Sequence, residues 1–426
     1  MFRSLKPSAE TVLLIVVVAG LLGFGYRQHT TSADNEAAAQ AEASSEEPVA
    51  ATDSSSKDSA RTEPIAVPCL LLPQSGPDSE NFGYPSRTVD RLAVRKLLQN
   101  KSFDVLDAVL SAYTDSAVKD YRLEYRMFDA YAAFEAAIPS LEPLLNEWVE
   151  RNPGSPPALV ARGSFYYAMG QNARGYAFAD STTDAQFAGM DAYYRKAAAD
   201  LKSALLNAPN TLAAYRVLMY IASYVGEHDA SRWLLDKALQ FQPYSFRLRA
   251  VHMENLTPRW GGSYVEMNAF ADESMPYAQR NPRIAALRGY IDWDVGRRLA
   301  KRGRNSDAMD AFDRSLKSGD FWMFRYQRGN QYFDDDKYAE ALVDLNKALE
   351  QKPQDADALY ERAWIEYKLG HDGTGPTRME NFRKAWEDIA LSVALDPADA
   401  DHQEYMDFIR KAIPQFEHFS LSTPKC

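Results

Sequence analysis

The feature of this sequence that most constrains its fold is a set of prolines that each follow an amphipathic helical pattern. These prolines are Pro153, Pro209, Pro243, Pro282, Pro353 and Pro397. In five of the six cases, small or apolar residues stand 12, 8 and 5 positions before the proline. Offsets of three and four residues keep one helix face turned inward, and proline then ends the helix. The pattern predicts a series of helices that pack through small residues.

The spacing of these prolines indicates a repeat. Pro209 and Pro243 are 34 residues apart, and the other intervals equal one or two such periods with insertions of 22, 5, 3 and 10 residues. A period of about 34 residues is that of a helix-turn-helix repeat. We therefore predict an all-α solenoid of about eight helix pairs between residues 88 and 397. A last helix near 399–413 is expected to cap the apolar face of the final repeat.

Residues 322–355 carry the repeat most clearly, through Gly329, Tyr332, Tyr338, Ala341, Leu345, Ala348 and Pro353. With these residues the unit resembles the tetratricopeptide (TPR) repeat, although Arg325 and Arg328 stand where Trp and Leu are usual. The unit 356–397 keeps Ala363 and inserts ten residues around 371–376. Thr377 and Glu380 are predicted to form a capping box that restarts its second helix.

The TPR resemblance implies a concave groove lined by the first helix of each pair, which would hold a protein or peptide partner. The positions carried over to this groove are Arg216, Tyr220, Tyr224, Met323, Tyr326, Asn330, Phe333, Asp357, Tyr360, Trp364 and Tyr367. Aromatic side chains with a few polar groups are typical of interface hot spots. The alternative is that half of these tyrosines belong to the core between helices. The carboxylate clamp of chaperone-binding TPR proteins is disfavoured, since only Asn330 matches it.

The run from Pro258 to Ser263 (PRWGGS) is the least ordinary stretch. We predict that Pro258 ends one helix, that Gly261 and Gly262 make a tight turn, and that Ser263 caps the next helix. Trp260 would then pack under the turn. The functional alternative is that Arg259 and Trp260 present a binding surface.

Further short motifs accompany this run, namely Arg162-Gly163, Arg174-Gly175, residues 187–190 and Asp200-Leu201. With them, about residues 88–282 resemble the bacterial family catalogued as domain of unknown function 4034. This resemblance implies a helical fold and supplies no chemistry. The insertion at 171–191 is predicted to be a long loop, which either lines a pocket with Arg174 or packs onto its neighbours.

The N-terminus is predicted to be a targeting segment and a membrane anchor. Residues 11–26 are uncharged and follow Arg3 and Lys6, which fits a transmembrane anchor or a signal peptide. Residues 1–10 would then be cytoplasmic, because positive residues stay inside. Residues 27–84 are predicted to form a flexible acidic spacer, leaving the body outside the membrane, in the bacterial periplasm. The alternative is a secreted or periplasmic protein after signal cleavage. Cys69 and Cys426 are the two cysteines, and whether they pair stays open.

Composition limits the function. The net charge is −11, of which residues 33–64 carry −6. Because an acidic chain does not attract the phosphates of nucleic acid, we predict no nucleic-acid partner. We find no sequence motif of a nucleophile elbow, phosphate-binding loop or metal site, and predict no catalytic residue, cofactor or metal. The organisation predicted is a helical domain at 85–282, TPR-like repeats with a cap at 283–414, and a tail at 415–426.

The sequence therefore predicts a membrane-tethered, extracytoplasmic TPR-like scaffold for protein–protein interactions. The alternative is an enzyme or small-ligand receptor with a site between the 171–191 insertion and the Pro258–Ser263 turn. An enzyme site there would require four residues to converge in one pocket, namely Arg162, Arg174, Arg259 and Trp260.

Overall fold

The computed structural model describes residues 68–72, 84, 87–175 and 181–413. The predicted anchor at 11–26, most of the predicted spacer and the predicted tail at 415–426 lie outside the described residues. Among the described residues, no helix has the length and apolarity needed to cross a membrane. Cys69 is disulfide-bonded, and the chain's other cysteine, Cys426, lies outside the described residues.

The described residues form seventeen α-helices. They are α1 (Arg91–Gln99), α2 (Phe103–Lys119), α3 (Glu124–Ala132), α4 (Glu142–Arg151), α5 (Pro156–Arg174), α6 (Asp184–Asn207), α7 (Leu212–Tyr224), α8 (His228–Phe241), α9 (Phe246–Asn255), α10 (Tyr264–Ala278), α11 (Gly289–Ala300), α12 (Asn305–Ser318), α13 (Trp322–Asp334), α14 (Tyr338–Gln351), α15 (Ala356–Asp372), α16 (Gly375–Leu395) and α17 (Ala400–Ala412).

The prediction of an all-α repeat solenoid is confirmed. Sixteen helices precede α17, and the hairpins in which a second helix packs most extensively on the first are α5/α6, α11/α12, α13/α14 and α15/α16. Helix α17 packs on α16 at the C-terminal end, where the sequence predicted a cap. Between α9 and α10, Pro258–Trp260 forms a short 3₁₀ turn.

The prolines end helices where the pattern predicted. Helices α4, α14 and α16 stop two residues before Pro153, Pro353 and Pro397 respectively. Polar side chains start the following helices: Ser155 Oγ accepts from the Ala158 amide (3.1 Å), and Asp355 Oδ1 accepts from the Ala358 amide (3.0 Å). These caps satisfy amide donors that the first turn leaves free. A proline followed by a cap is thus the local signal that sets the repeat boundary.

The two large insertions are mostly helical. The predicted loop at 171–191 was wrong, because α5 continues to Arg174 and α6 already begins at Asp184. The capping box at Thr377 was also wrong: α16 begins at Gly375, and Thr374 stands at its N-cap. Both insertions add turns to each helix of a hairpin, so the added residues keep their backbone hydrogen bonds within helices.

The first helix closes the solenoid against its last hairpin. Arg95 on α1 donates from Nη1 to the Ala394 carbonyl (2.7 Å) and from Nη2 to the Leu395 carbonyl (2.7 Å), while its Nε donates to the Ala133 carbonyl (2.6 Å). A helix leaves its last carbonyls without partners, and a positive charge there is favourable to the helix dipole. Gln354 adds to this closure by hydrogen bonding to Asp90 and to the Arg91 amide.

Candidate functional site

The first helices of successive hairpins place aromatic and charged side chains against one another along one face, which we call the inner face. Tyr167 on α5 stacks on Tyr220 on α7, with 6.0 Å between ring centroids. The Tyr220 hydroxyl accepts from Arg247 Nη2 on α9 (3.0 Å), and Arg247 pairs with Glu254 (3.7 Å). The pKa of Tyr220 is raised to about 12, mainly by burial. The inner face is therefore a continuous, polar and aromatic surface.

A pocket of about 200 Å³ opens on the inner face between α7, α9, α11 and the Pro258–Trp260 turn. Its lining includes Tyr167, Tyr220, Ser223, Tyr224, Glu254, Arg259, Trp260, Trp293 and Arg297. Five of these residues are aromatic, and two guanidinium groups with one carboxylate supply the charges.

The Pro258–Ser263 turn aims Arg259 and Trp260 at this pocket. Gly261 has φ +93°, a backbone conformation that glycine adopts without strain. Gly262 fits because it lacks a Cβ, which would lie 2.2 Å from the Leu256 carbonyl oxygen. The predicted cap is confirmed, since Ser263 Oγ accepts from the Glu266 amide (3.2 Å). Trp260 contacts Tyr224 edge-to-face at 4.6 Å, which brings its ring against α7.

Two arginines of the pocket have no anionic partner within the described part of the chain. The guanidinium of Arg259 lies over the Trp260 ring (4.8 Å), and that of Arg297 lies over the Trp293 ring (4.6 Å). Burial, followed by the nearby charge of Arg259, lowers the pKa of Arg297. The same two arginines, after burial, lower the pKa of Lys301. The pocket thus holds two guanidinium groups that no carboxylate of the described residues binds directly.

Two buried donors of the pocket also lack partners. Ser223 is 4% exposed and Trp293 is 7% exposed, and among the described residues neither Ser223 Oγ nor Trp293 Nε1 has a hydrogen-bond partner. Such groups are costly to bury unless something accepts their hydrogen.

Two of the four residues named for an enzyme site, Arg259 and Trp260, line the pocket, and Arg174 lies beside it. Arg174 lies over the Tyr224 ring (5.9 Å), on the ring that Trp260 contacts and near Arg259. Arg162 does not join them, because it precedes Arg174 by 12 residues on α5, about 18 Å along the helix. The condition set for the enzyme alternative, convergence of all four in one pocket, is therefore not met. Gly175, with φ +73°, ends α5 as its C-cap.

Arg162 instead belongs to an ion pair between helices. It binds both carboxylate oxygens of Asp200 (2.7 Å each) and Asn146 Oδ1 (3.1 Å). Arg362 binds Asp388 and Asn346 in the same way (2.6 to 2.8 Å). A small residue follows each arginine. At Gly163 the helices are so close that an added Cβ would lie 2.7 Å from Leu201 Cγ. We call this arrangement the hairpin clamp, and it recurs with Arg328 and Asp344 (2.6 Å) beside Gly329.

The groove positions carried over from the TPR resemblance have several different surroundings. Arg216 is buried and pairs with Glu135, whereas Tyr220 and Tyr224 line the pocket. Tyr326 is half-buried, and Asn330 Nδ2 donates to Glu361 Oε1 (3.4 Å).

The last three groove positions, Tyr360, Trp364 and Tyr367, face the capping helix. Trp364 stacks on Tyr405 of α17 at 4.4 Å, and Tyr360 stacks on His402 at 4.6 Å. Tyr367 contacts Phe408 edge-to-face at 5.2 Å. These side chains therefore contribute to packing between α15 and α17, because the cap covers the first helix of the final hairpin.

Sequence reasoning missed Ser223, Glu254, Trp293 and Arg297. Trp293 and Arg297 stand four positions apart on α11 and so share a face, which is a signal present in the sequence. Nothing local to α11, however, indicates that this face meets Arg259 from the preceding turn.

Comparison with known proteins supports a TPR repeat at residues 329–370. Residues 329–370 match the family model for the TPR repeat, and a search of curated proteins found no match. Similar solved structures include PilF of Pseudomonas aeruginosa (15% identity, 50% of this chain and 88% of that chain, TM-score 0.28). Another is YrrB, described as a TPR protein with an unusual peptide-binding site (18% identity, 49% and 97%, TM-score 0.25). A third is the TPR domain of P58(IPK) (15% identity, 77% and 99%, TM-score 0.27).

Proposed function

We propose that this protein is a scaffold whose inner face binds a protein or peptide partner. The observation that carries this proposal is that aromatic and charged side chains of first helices contact one another from Tyr167 to Glu254, and again between Asn330 and Glu361, on a TPR-like solenoid. Such surfaces suit interaction hot spots because they combine large apolar contact area with polar groups that fix orientation. The TPR-like fold itself suggests a role in protein–protein interaction.

We further propose that the scaffold is tethered to the bacterial inner membrane by residues 11–26, with its body in the periplasm. The apolar run, the preceding positive charges and the acidic spacer support this location. The disulfide at Cys69 supports it too, since disulfides persist in oxidising compartments. The resemblance of residues 88–282 to the domain of unknown function 4034 remains part of the proposal.

The inner face can be tested by site-specific photo-crosslinking of the full chain in its native membranes. A photoreactive phenylalanine analogue replaces Tyr326 on the inner face, and the control replaces Val343, which is 60% exposed on a second helix. We expect a discrete crosslinked partner from position 326, and we expect Tyr326→Ala, but not Val343→Ala, to weaken binding of the purified partner. The same adducts from both positions would contradict the inner-face assignment.

A further inference from the structure

We propose that the pocket between α7, α9 and α11 binds a small aromatic carboxylate. The carboxylate would lie against the guanidinium groups of Arg259 and Arg297, and the ring against the aromatic wall formed by Tyr224 and Trp260. This inference concerns the pocket alone and does not depend on the partner of the inner face.

The two guanidinium groups of the pocket favour an anionic ligand. Arg259 and Arg297 make no hydrogen bond or ion pair within the described residues, in contrast to Arg162, whose guanidinium is held by Asp200 at 2.7 Å. Planar guanidinium groups match the geometry of a carboxylate and can bind both of its oxygens. Glu254 cannot fill this role because it already pairs with Arg247 (3.7 Å) and accepts from Tyr220 (3.5 Å).

Two buried donors supply further hydrogen bonds. Ser223 Oγ and Trp293 Nε1 line the pocket without a partner among the described residues, and both side chains are more than nine-tenths buried. A ligand oxygen in the pocket would relieve the cost of leaving these groups unsatisfied. The pocket therefore offers neutral donors beside the charged ones.

The size and walls of the pocket restrict the rest of the ligand. Its volume of about 200 Å³ is below the roughly 300–1,000 Å³ of sites for drug-sized molecules, so it suits one ring with a short acidic arm. The Tyr224 and Trp260 rings, 4.6 Å apart, offer edges and faces for aromatic contact.

The charge balance favours a carboxylate over a phosphate. The Glu254 carboxylate also lines the pocket, so each negative charge that a ligand adds is repelled there. A phosphate group carries up to about two negative charges near neutral pH and would bring the second one close to Glu254.

The test is calorimetric titration of the full chain with phenylacetate, its amide phenylacetamide, phenyl phosphate and acetate. We expect phenylacetate to bind about tenfold more tightly than the amide, which lacks the charge that the guanidiniums bind, and more tightly than acetate or phenyl phosphate. The carboxylate could belong to a free small molecule or to the C-terminus of a peptide, and N-acetylphenylalanine distinguishes these two ligands. If it binds more tightly than phenylacetate, the natural ligand is the C-terminus of a peptide.

Matched variants separate binding from folding. Arg297→Gln is expected to weaken phenylacetate binding about tenfold, whereas Arg298→Gln, at the neighbouring position outside the pocket lining, should change it by less than about twofold. Ser223→Ala should weaken binding about threefold without lowering the unfolding midpoint, since its hydroxyl has no partner to lose. Equal affinity for acid and amide, or unchanged affinity in Arg297→Gln, would overturn the proposal.

Discussion

Arg162 and Arg259 belong to the same set of sequence motifs, yet the structure gives them opposite surroundings. Arg162 is 20% exposed in its side chain and holds Asp200 in the hairpin clamp. Arg259 is exposed at the edge of the pocket and has no carboxylate partner within the described part of the chain. The difference shows that one residue type serves the fold where its charge is paired and is available to a ligand where it is not.

The largest expected effect comes from breaking the clamp. Asp200→Ala leaves the largely buried guanidinium of Arg162 without its carboxylate, and we expect a loss of about 2–4 kcal/mol in the free energy of unfolding. The measurement is urea denaturation followed by circular dichroism.

Asp191→Ala is the matched control for this variant. Asp191 lies on the same helix and pairs with Arg195, whose side chain is 49% exposed. Exposed pairs contribute little, so we expect a loss below about 0.5 kcal/mol. Equal losses in the two variants would mean that the clamp is no stronger than a surface ion pair.

A smaller effect is expected at Glu361, a carboxylate of the inner face with one oxygen that lacks a partner. Glu361 Oε2 is buried and has no hydrogen-bond partner among the described residues. Burial, with the charges of Asp334 and Asp357, raises the pKa of Glu361 from 4.5 to about 7. The folded chain therefore holds this proton more tightly than the unfolded chain, and stability is lost as the pH rises from about 4.5 to about 7.

Replacing Glu361 with Gln should remove this pH dependence. At pH 8 we expect Glu361→Gln to be more stable than the wild type by about 1–2 kcal/mol, and at pH 4 the gain should vanish because the wild-type side chain is then neutral. Urea denaturation at the two pH values measures the difference, with the exposed Glu340→Gln as control. A gain of the same size at both pH values would show that the charge of Glu361 is not its cause.

The contrast between clamp and pocket also explains what the sequence could predict. Helix ends at Pro153 and Pro353 were predictable because proline acts on its own helix. The arginine and the aspartate of the hairpin clamp lie on the two helices of one pair, and Arg162 and Asp200 both belong to the sequence motifs. The sequence placed an alternative site at the Pro258–Ser263 turn, but it could not indicate Arg297, which meets Arg259 only after hairpins stack. Closure by Arg95 onto Leu395 spans 300 residues, beyond any local pattern.

The smallest effect on stability is expected in the pocket. Arg259→Gln and Arg297→Gln remove charges that lack anionic partners, so each should change the free energy of unfolding by less than about 0.5 kcal/mol. Burial and the charge of Arg259 disfavour the charged form of Arg297. Removing either arginine relieves this repulsion, which can raise the free energy of unfolding. Urea denaturation checks this, with Asp200→Ala as the destabilised reference. Losses as large as that reference would give these arginines a structural role and remove the distinction between clamp and pocket. Small changes, with loss of phenylacetate binding in Arg297→Gln, would show that the pocket charges are kept for a ligand.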